Sequence, residues 1–483
     1  MPGAWLAFEW THDIVGDPAT VIGASLWSHP FTANKAVKPR RMEAANRQIA
    51  LPSRNWIARV SDHATGWPRA APINAAPNAL ESNQMAKPKH RWEFRARFRT
   101  NAFGWKGSKL AAERLKEALS EIKKVARTDP VLAADGAILL MEKLWPALAQ
   151  IDTSSGALGN AAGKTVHALI DIVLAAPVDT TQNERWLERL QQAVDDDGVD
   201  YLWEVSERWG ELCRTPERAS RFADDCLSLV RASWQSAGGY CKWTPACLSC
   251  LLKAQRHEEL LALIDTAPYL SWGYRCFGVQ ALVAMGRGDE AIAYAQDSHG
   301  INNSPTAIAQ TCEAILLEAG RSEEAYARFA LEANQATTHL ATCRALIKKY
   351  PGKEPRMILN DLIAATPSDP GRWFATAKTL GFLELAAELA ERSPVDIGTL
   401  LRAARDYQDS NPSFASHAAM AALRWMAAGR FYELTASDVW EARRFALETA
   451  ERTGESERIR AFLDELMASS QTDAFVRQQL QAR

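Results

Sequence analysis

No run of eighteen apolar residues occurs in this sequence, so no ordinary transmembrane helix is expected. The first apolar stretch, residues 4–8, has no basic residue before it and runs into Glu9, so it does not read as a secretion signal. Net charge is scarce as well. Fifty-six Lys and Arg oppose 58 Asp and Glu, which leaves −2 and no whole-chain electrostatic argument for nucleic acid or membrane. A Gly-x-Ser-x-Gly elbow is missing, and none of the nine histidines pairs with another at helical spacing around a glutamate. An enzyme therefore has no positive support in local motifs, and no cofactor or metal is expected. Beyond residue 109 almost nothing alternates with period two, so negligible sheet is expected there.

What the chain does have is apolar residues, 47% of the total, set at helical spacing over most of its 483 residues. Eight cysteines stand at 213, 226, 241, 247, 250, 276, 312 and 343, mostly between apolar neighbours, where a free thiol acts as a small core residue. Reduced thiols and a cytoplasmic location are expected. Residues 1–84 differ from the rest. They hold eight of the 22 prolines, and Trp5, Trp10, Trp27, Trp56 and Trp67 follow no period. Pro68, Pro72 and Pro77 break any helix attempted there. Either these residues precede the true start, with Met85 opening the protein, or they form an irregular extension or a small irregular domain.

Residues 85–108 read as a basic, aromatic arm, residues 109–240 as helical hairpins, and residues 241–483 as shorter helical repeats. The stretch 109–127 puts Leu110, Leu115, Leu119, Ile122 and Val125 on one stripe. Predicted helices follow at 130–151, 161–174, 183–194 and 201–213. Thr215-Pro216 and Ser304-Pro305 are helix starts, with a hydroxyl at the N-cap and proline at the first helical position. Beyond residue 240 the predicted pairs are 248–254 with 257–266, 279–285 with 290–296, 314–319 with 323–333, and 373–380 with 383–391. Helices at 415–428 and 438–452 follow, and 455–469 closes the array.

One phrase occurs twice. Gly286-Arg287-Gly288-Asp289-Glu290-Ala291 returns 34 residues on as Gly320-Arg321-Ser322-Glu323-Glu324-Ala325. Glycine ends the first helix of such a pair because the reversal needs a positive φ, and alanine opens the second because close helix approach needs a small side chain. The phrase and its 34-residue offset resemble the turn and period of tetratricopeptide repeats, over about residues 245–395. The tryptophan, leucine and glycine of that family's first helix are absent, and Gly381 to Gly429 is 48 residues, so the repeat is irregular. The block from Lys87 onward is also similar to a group of uncharacterised bacterial helical proteins, which implies a bacterial source. The expected fold is all-α: a right-handed solenoid of nine or ten helical hairpins behind an irregular N-terminal extension.

Residues 85–128 carry thirteen Lys and Arg against four Asp and Glu, a net of +9, so the remainder of the chain carries −11. Within them Arg91, Arg95, Arg97 and Arg99 alternate with Trp92, Phe94, Ala96 and Phe98, and Lys106 and Lys109 follow. Extended, this arm offers guanidinium groups for phosphates and rings for bases. Folded back, its rings pack on the first hairpin and its arginines meet acidic faces. An acidic protein partner is a third reading. Residues 159–165 have three residues between glycines where a phosphate loop needs four, and no strand precedes them, so a helical connection is expected. Cys241, Cys247 and Cys250 with His257 lack a second Cys-x-x-Cys, and buried helical thiols are expected. Asp195-Asp196-Asp197-Gly198 lacks calcium-loop spacing and reads as a solvated helix end. Trp203, Trp209, Trp234, Trp243, Trp272, Trp373, Trp425 and Trp440 read mainly as gap fillers. The expected function is a cytoplasmic, non-enzymatic scaffold or adaptor that binds a protein or peptide, with Trp272, Tyr274, Asn303 and Arg344 facing its groove. The alternative is nucleic-acid association through residues 87–109. Nothing in the sequence fixes an oligomeric state.

Overall fold

The computed structural model of the chain describes residues 90–236, 239–431 and 433–482. The expectations for residues 1–84, and those for Met85, Lys87 and Lys89 in the arm, lie outside the described residues. Among the described residues every regular element is helical and no strand occurs. They fall into two units, 90–303 and 304–482. The boundary expected at residue 240 lies inside the N-terminal unit, where Pro216–Gln235 and Thr244–Lys253 pack together in one apolar core that runs from Trp92 to Ala281.

Helix starts follow the side chains that can cap them. Thr215 accepts from Arg218 N and Ser304 from Ala307 N, each with proline next in sequence. Asp129, Asp179, Thr338, Asp396, Asn411 and Asp473 do the same elsewhere. Thr435 and Asp438 form a reciprocal capping box.

The repeated phrase builds one hydrogen-bonded reversal. Arg287 N donates to Leu282 O at 2.9 Å and Gly286 N to Val283 O at 2.9 Å; Arg321 N and Gly320 N repeat the pair at 2.8 and 3.0 Å. The two glycines have φ of 77° and 73°. Each arginine then closes on the glutamate three residues on, Arg287 Nε to Glu290 at 2.7 Å and Arg321 Nε to Glu324 at 2.8 Å. A third copy stands at Gln255-Arg256, with Arg256 N to Leu251 O at 2.9 Å and Arg256 Nε to Glu259 at 2.8 Å. Gln255 holds φ 59° there without being glycine.

In the N-terminal unit Ser108–Ala126, Pro130–Leu148 and Ala157–Ala175 pack on one another around Leu115, Ile122, Leu140, Met141, Leu144 and Ile170. Gly136 lets the indole of Trp92 lie on its backbone, for a Cβ there would sit 2.3 Å from the ring. The expected helix 201–213 is instead two pieces, Trp203–Glu207 and Trp209–Leu212. The break follows from Gly210, whose N–H leaves the helical ladder for Ser249 Oγ at 3.0 Å, and from the close approach of that segment to Thr244–Lys253. A Cβ on Gly210 would lie 2.3 Å from Ser249 O.

The C-terminal unit runs through Pro305–Glu318, Ser322–Ala325, a π-helical turn Tyr326–Ala330, Leu331–Ala333, His339–Lys349, Pro355–Ala364, a 3₁₀ turn Pro370–Trp373, Phe374–Thr379, Leu383–Arg392, Ile397–Asp406, Pro412–Ala427, Ala436–Thr453 and Ser456–Ala468. The array does not close there. Ala474–Gln481 is a further helix, started by Asp473 and packed on Ala436–Thr453 and Ser456–Ala468 through buried Val476 and Leu480. Three helices, His339–Lys349, Pro355–Ala364 and Ile397–Asp406, stand in stretches where no helix was expected.

Candidate functional site

The basic arm is folded back from Trp92 onward. Phe94–Arg97 is one helical turn whose start is held by Glu121, which accepts from Glu93 N at 2.8 Å and Phe94 N at 3.2 Å. Trp92, Phe94, Phe98 and Phe103 are buried in the core, with Phe98 edge-on to Phe103. The extended arrangement with a free ring face is therefore not the one adopted. Arg97 is bound to Glu117 at 2.6 Å; the hydrogen bond from Arg114, with a smaller contribution from Arg97, holds that carboxyl below its ordinary range. Arg91, Arg95, Arg99, Lys106 and Lys109 are exposed, and none makes an ion pair among the described residues. In the same stretch Trp105 is 67% exposed, and Leu110 is also exposed. Trp105 lies outside the alternating run, and its signal in the sequence was its place between Gly104 and Gly107, in a turn where no core face is available.

Residues 159–165 sit inside Ala157–Ala175, and Thr165 Oγ1 donates to Ala161 O, so no phosphate loop exists there. Cys247 and Cys250 are buried on Thr244–Lys253, and burial pushes the Cys247 thiol up to about 12. Cys213 Sγ lies 4.0 Å from Cys250 Sγ, in a wholly buried contact. No group of three or more His, Cys, Asp or Glu placed to hold a metal occurs among the described residues. The acidic run is only partly a solvated helix end. Asp197 is buried and accepts from Val199 N and Leu202 N, and Asp195 accepts from Trp243 Nε1 at 3.0 Å. These carboxylates shape the loop, and burial raises both. Of the eight tryptophans, Trp209, Trp234, Trp243 and Trp373 are buried and the other four half-buried.

The four proposed groove residues do not form one surface. Tyr274 is buried against Trp234 and Tyr269. Asn303 is buried and structural: its Oδ1 accepts from Trp272 N at 2.8 Å, and its Nδ2 donates to Ser298 O at 2.7 Å. Trp272 is half-buried at the start of Trp272–Ala284, and Arg344 is exposed in the C-terminal unit.

A surface that no motif announced lies along the loops between hairpins in the N-terminal unit. Four such loops touch in series. Lys242 bonds Asp197 O and pairs with Asp200 at 3.9 Å. Gly239 rests against Pro268 and Tyr269. Asn303 then joins its own loop to Leu270 and Trp272. Each loop exposes at least one large apolar side chain: Val199, Tyr240 at 54%, Tyr269 with Leu270, and Ile301. Asp195, Asp196 and Asp200 are exposed at one end of the edge.

One of the unit's charge clusters ties helices together. His167 Nδ1 lies 3.3 Å from Glu204, and Arg208 bonds Asp171 at 2.6 Å. The hydrogen bond to Glu204 is the main cause that raises His167. Next to them the Glu207 carboxyl accepts from Trp203 Nε1 at 2.7 Å, and burial pushes it up to about 7.

The sequence matches no protein-family model and no curated protein. What the fold and these surfaces define is an all-helical protein of two units with no helix, among the described residues, long and apolar enough to cross a membrane.

Proposed function

We propose that this protein is a non-enzymatic scaffold of TPR-like helical hairpins that binds a protein segment along the loop edge of its N-terminal unit. The observation that carries this is the edge itself: four loops in contact, each with an apolar side chain turned to water. Exposed apolar groups in one contiguous patch mark interaction surfaces, whereas single ones do not. Tyrosine gives such a patch anchors of large area and low entropy cost. Exposed Asp195, Asp196 and Asp200 favour a partner that brings lysine or arginine beside its apolar side chains. The solenoid reading rests on the three copies of one reversal, at Gln255, Gly286 and Gly320. Eight free cysteines, seven of them buried, support a reducing, cytoplasmic location. The bacterial source rests on the resemblance of the sequence alone.

Capture from cell extract tests this reading. The wild-type chain is expected to retain a partner that a Tyr240→Ser/Tyr269→Ser/Ile301→Ser variant loses by tenfold or more, since each central anchor is worth about 2 kcal/mol. Equal retention by both chains, with equal helical content, refutes it.

The second reading is nucleic-acid binding, and the observation that favours it is the set Arg91, Arg95, Arg99, Lys106 and Lys109, exposed on the same segment of chain as exposed Trp105. Five cations on phosphates give a log–log salt slope of roughly −3.5 on a single strand. Affinity for a single-stranded oligonucleotide should fall about a hundredfold between 50 and 200 mM salt, and Arg95→Gln/Arg99→Gln/Lys109→Gln should flatten that slope by about two. Absence of binding at 50 mM salt eliminates this reading and leaves the first untouched.

A further inference from the structure

We propose that the C-terminal unit binds a small monocarboxylate with an aromatic or branched apolar body, in the cleft between its π-helical turn and the Pro370–Trp373 turn, with Arg372 as the carboxylate anchor. The cleft measures about 350 Å³, inside the range of small-molecule sites. It lies in a different unit from the loop edge and does not depend on that reading.

Its walls explain the apolar half of the ligand. Phe329 from the π turn, Leu362 and Trp373 are buried and form the floor of the space, with Leu331 and Ala365 beside them. Trp373 is held in place: its Nε1 donates to Thr366 Oγ1 at 2.8 Å, and the His339 ring lies 4.9 Å from its own. A planar group entering the cleft meets fixed rings, so little side-chain entropy is lost on binding.

The polar half follows from what each charged group already does. Glu332 accepts from Thr306 Oγ1 at 2.8 Å, and Arg328 bonds Glu324 at 2.7 Å. Arg372 is different. Its Nε donates to His339 Nε2 at 3.2 Å and lies 4.0 Å from Asp369. Its terminal nitrogens make no hydrogen bond or ion pair among the described residues. The bond from Arg372 assigns the His339 proton to Nδ1 and needs His339 neutral. Burial, and then the Arg372 charge, push His339 down, so that state persists at neutral pH. The guanidinium is thereby oriented with its terminal nitrogens left to a ligand, and two parallel N–H groups match a carboxylate. Glu332 and Asp369 beside the cleft repel a second negative charge, which selects a monoanion over a polyphosphate.

The π turn is the independent observation. In the copy that follows Gly286 the second helix, Gly288–Gln296, is regular. In the copy that follows Gly320 the equivalent helix widens at Tyr326–Ala330, where Tyr326 and Phe329 replace Ile292 and Ala295. Single π turns inside α-helices concentrate at functional sites. Here the departure from the repeat falls on the residues that line the cleft.

Titration calorimetry of the full chain with N-acetyl-L-phenylalanine tests the proposal, with N-acetyl-L-phenylalaninamide as the uncharged control. The acid is expected to bind with Kd of roughly 1 mM or tighter, and the amide at least tenfold more weakly. Arg372→Gln, at a surface position, should cost the acid tenfold or more and leave the amide unchanged. Ala365→Phe, which fills the space, should abolish both. A pentapeptide ending in phenylalanine separates two sources of the same chemistry: tighter binding than the free acid indicates a chain terminus, and equal or weaker binding a free metabolite. No binding of the acid at about 5 mM, equal binding of acid and amide, or an Arg372→Gln chain of unchanged helical content and unchanged affinity would overturn it.

Discussion

Glu207→Gln raises the stability of the N-terminal unit at pH 8 and leaves it unchanged at pH 4. The Glu207 carboxyl is half-buried beside Trp203 and near Glu204. Burial lifts it from 4.5 to about 7 in the folded chain. The unfolded chain releases this proton first as pH rises. Below 4.5 both states hold it and nothing is lost. Between 4.5 and 7 the unfolded state ionises and the folded state does not, so stability falls; above 7 the full loss is present. At about 1.4 kcal/mol per unit, and allowing for partial solvation, the loss is about 2–3 kcal/mol. Glutamine keeps the acceptor for the Trp203 indole and carries no charge to desolvate, so it removes the loss. His167, raised mainly by its bond to Glu204, adds stability at low pH that is likewise lost as pH rises through its folded value. Asp195 and Asp197, raised by burial, act in the same direction. The readout is amide exchange in Thr244–Lys253, which packs on Trp203–Glu207. At pH 8 the variant should exchange about thirtyfold to a hundredfold more slowly than wild type at that pH, with a ratio near one at pH 4. A ratio that does not change with pH contradicts the burial argument.

Much of the helical framework was legible because helices are written locally. Thr215-Pro216 and Ser304-Pro305 cap the helices they announced, and the turns at Gly286, Gly320, Gly381, Gly429 and Gly454 have the positive φ that glycine implies. What failed locally failed for tertiary reasons. The pair 248–254 with 257–266 was expected to turn at Gln255-Arg256, but the kinship of that turn with the copies at Gly286 and Gly320 is not written locally, because glutamine stands where glycine is the signal and its left-handed backbone is held by the hydrogen bonds of the reversal. The break at Arg208 depends on Ser249, 39 positions further from the Gly210 that it engages. Trp272, Tyr274, Asn303 and Arg344 were expected to face a groove from their places in a hairpin array, and packing puts Tyr274 and Asn303 inside. The loop edge had no motif because its adjacency is created by packing between distant stretches: Val199, Tyr240, Leu270 and Ile301 each stand 30 to 41 residues from the next and each is unremarkable alone. The alternation at Arg91–Arg99 was real, but a two-residue period in so short a stretch also fits a turn of helix that buries Phe94 and Phe98.

Glu313→Ala should be the most damaging of these substitutions to the C-terminal unit. A lone acid inside the apolar stretch of Pro305–Glu318, Glu313 is 1% exposed. Its Oε1 accepts from Tyr350 Oη at 2.6 Å and Asn334 Nδ2 at 2.7 Å, and its Oε2 from Lys349 Nζ at 2.7 Å. One carboxylate thus joins three successive stretches of chain, and desolvation is offset only while all three donors are present. Alanine leaves the buried Tyr350 hydroxyl without its acceptor and opens a cavity, while Lys349 is exposed enough to turn to water. A loss of about 3–5 kcal/mol is expected. Glu313→Gln retains one acceptor for Tyr350 and Asn334 but sets an amide against the Lys349 ammonium, so about 1–2 kcal/mol is expected. Tyr350→Phe in the Glu313→Ala background should cost less than Tyr350→Phe alone, because the two changes remove the same bond. Peptide-resolved amide exchange reads this in the full chain: Pro305–Glu318 and His339–Lys349 should lose protection together, a hundredfold or more for alanine, while Ser108–Ala126 stays as in wild type. If those two helices lose protection independently, or if glutamine and alanine cost the same, the carboxylate is not the pin that joins them.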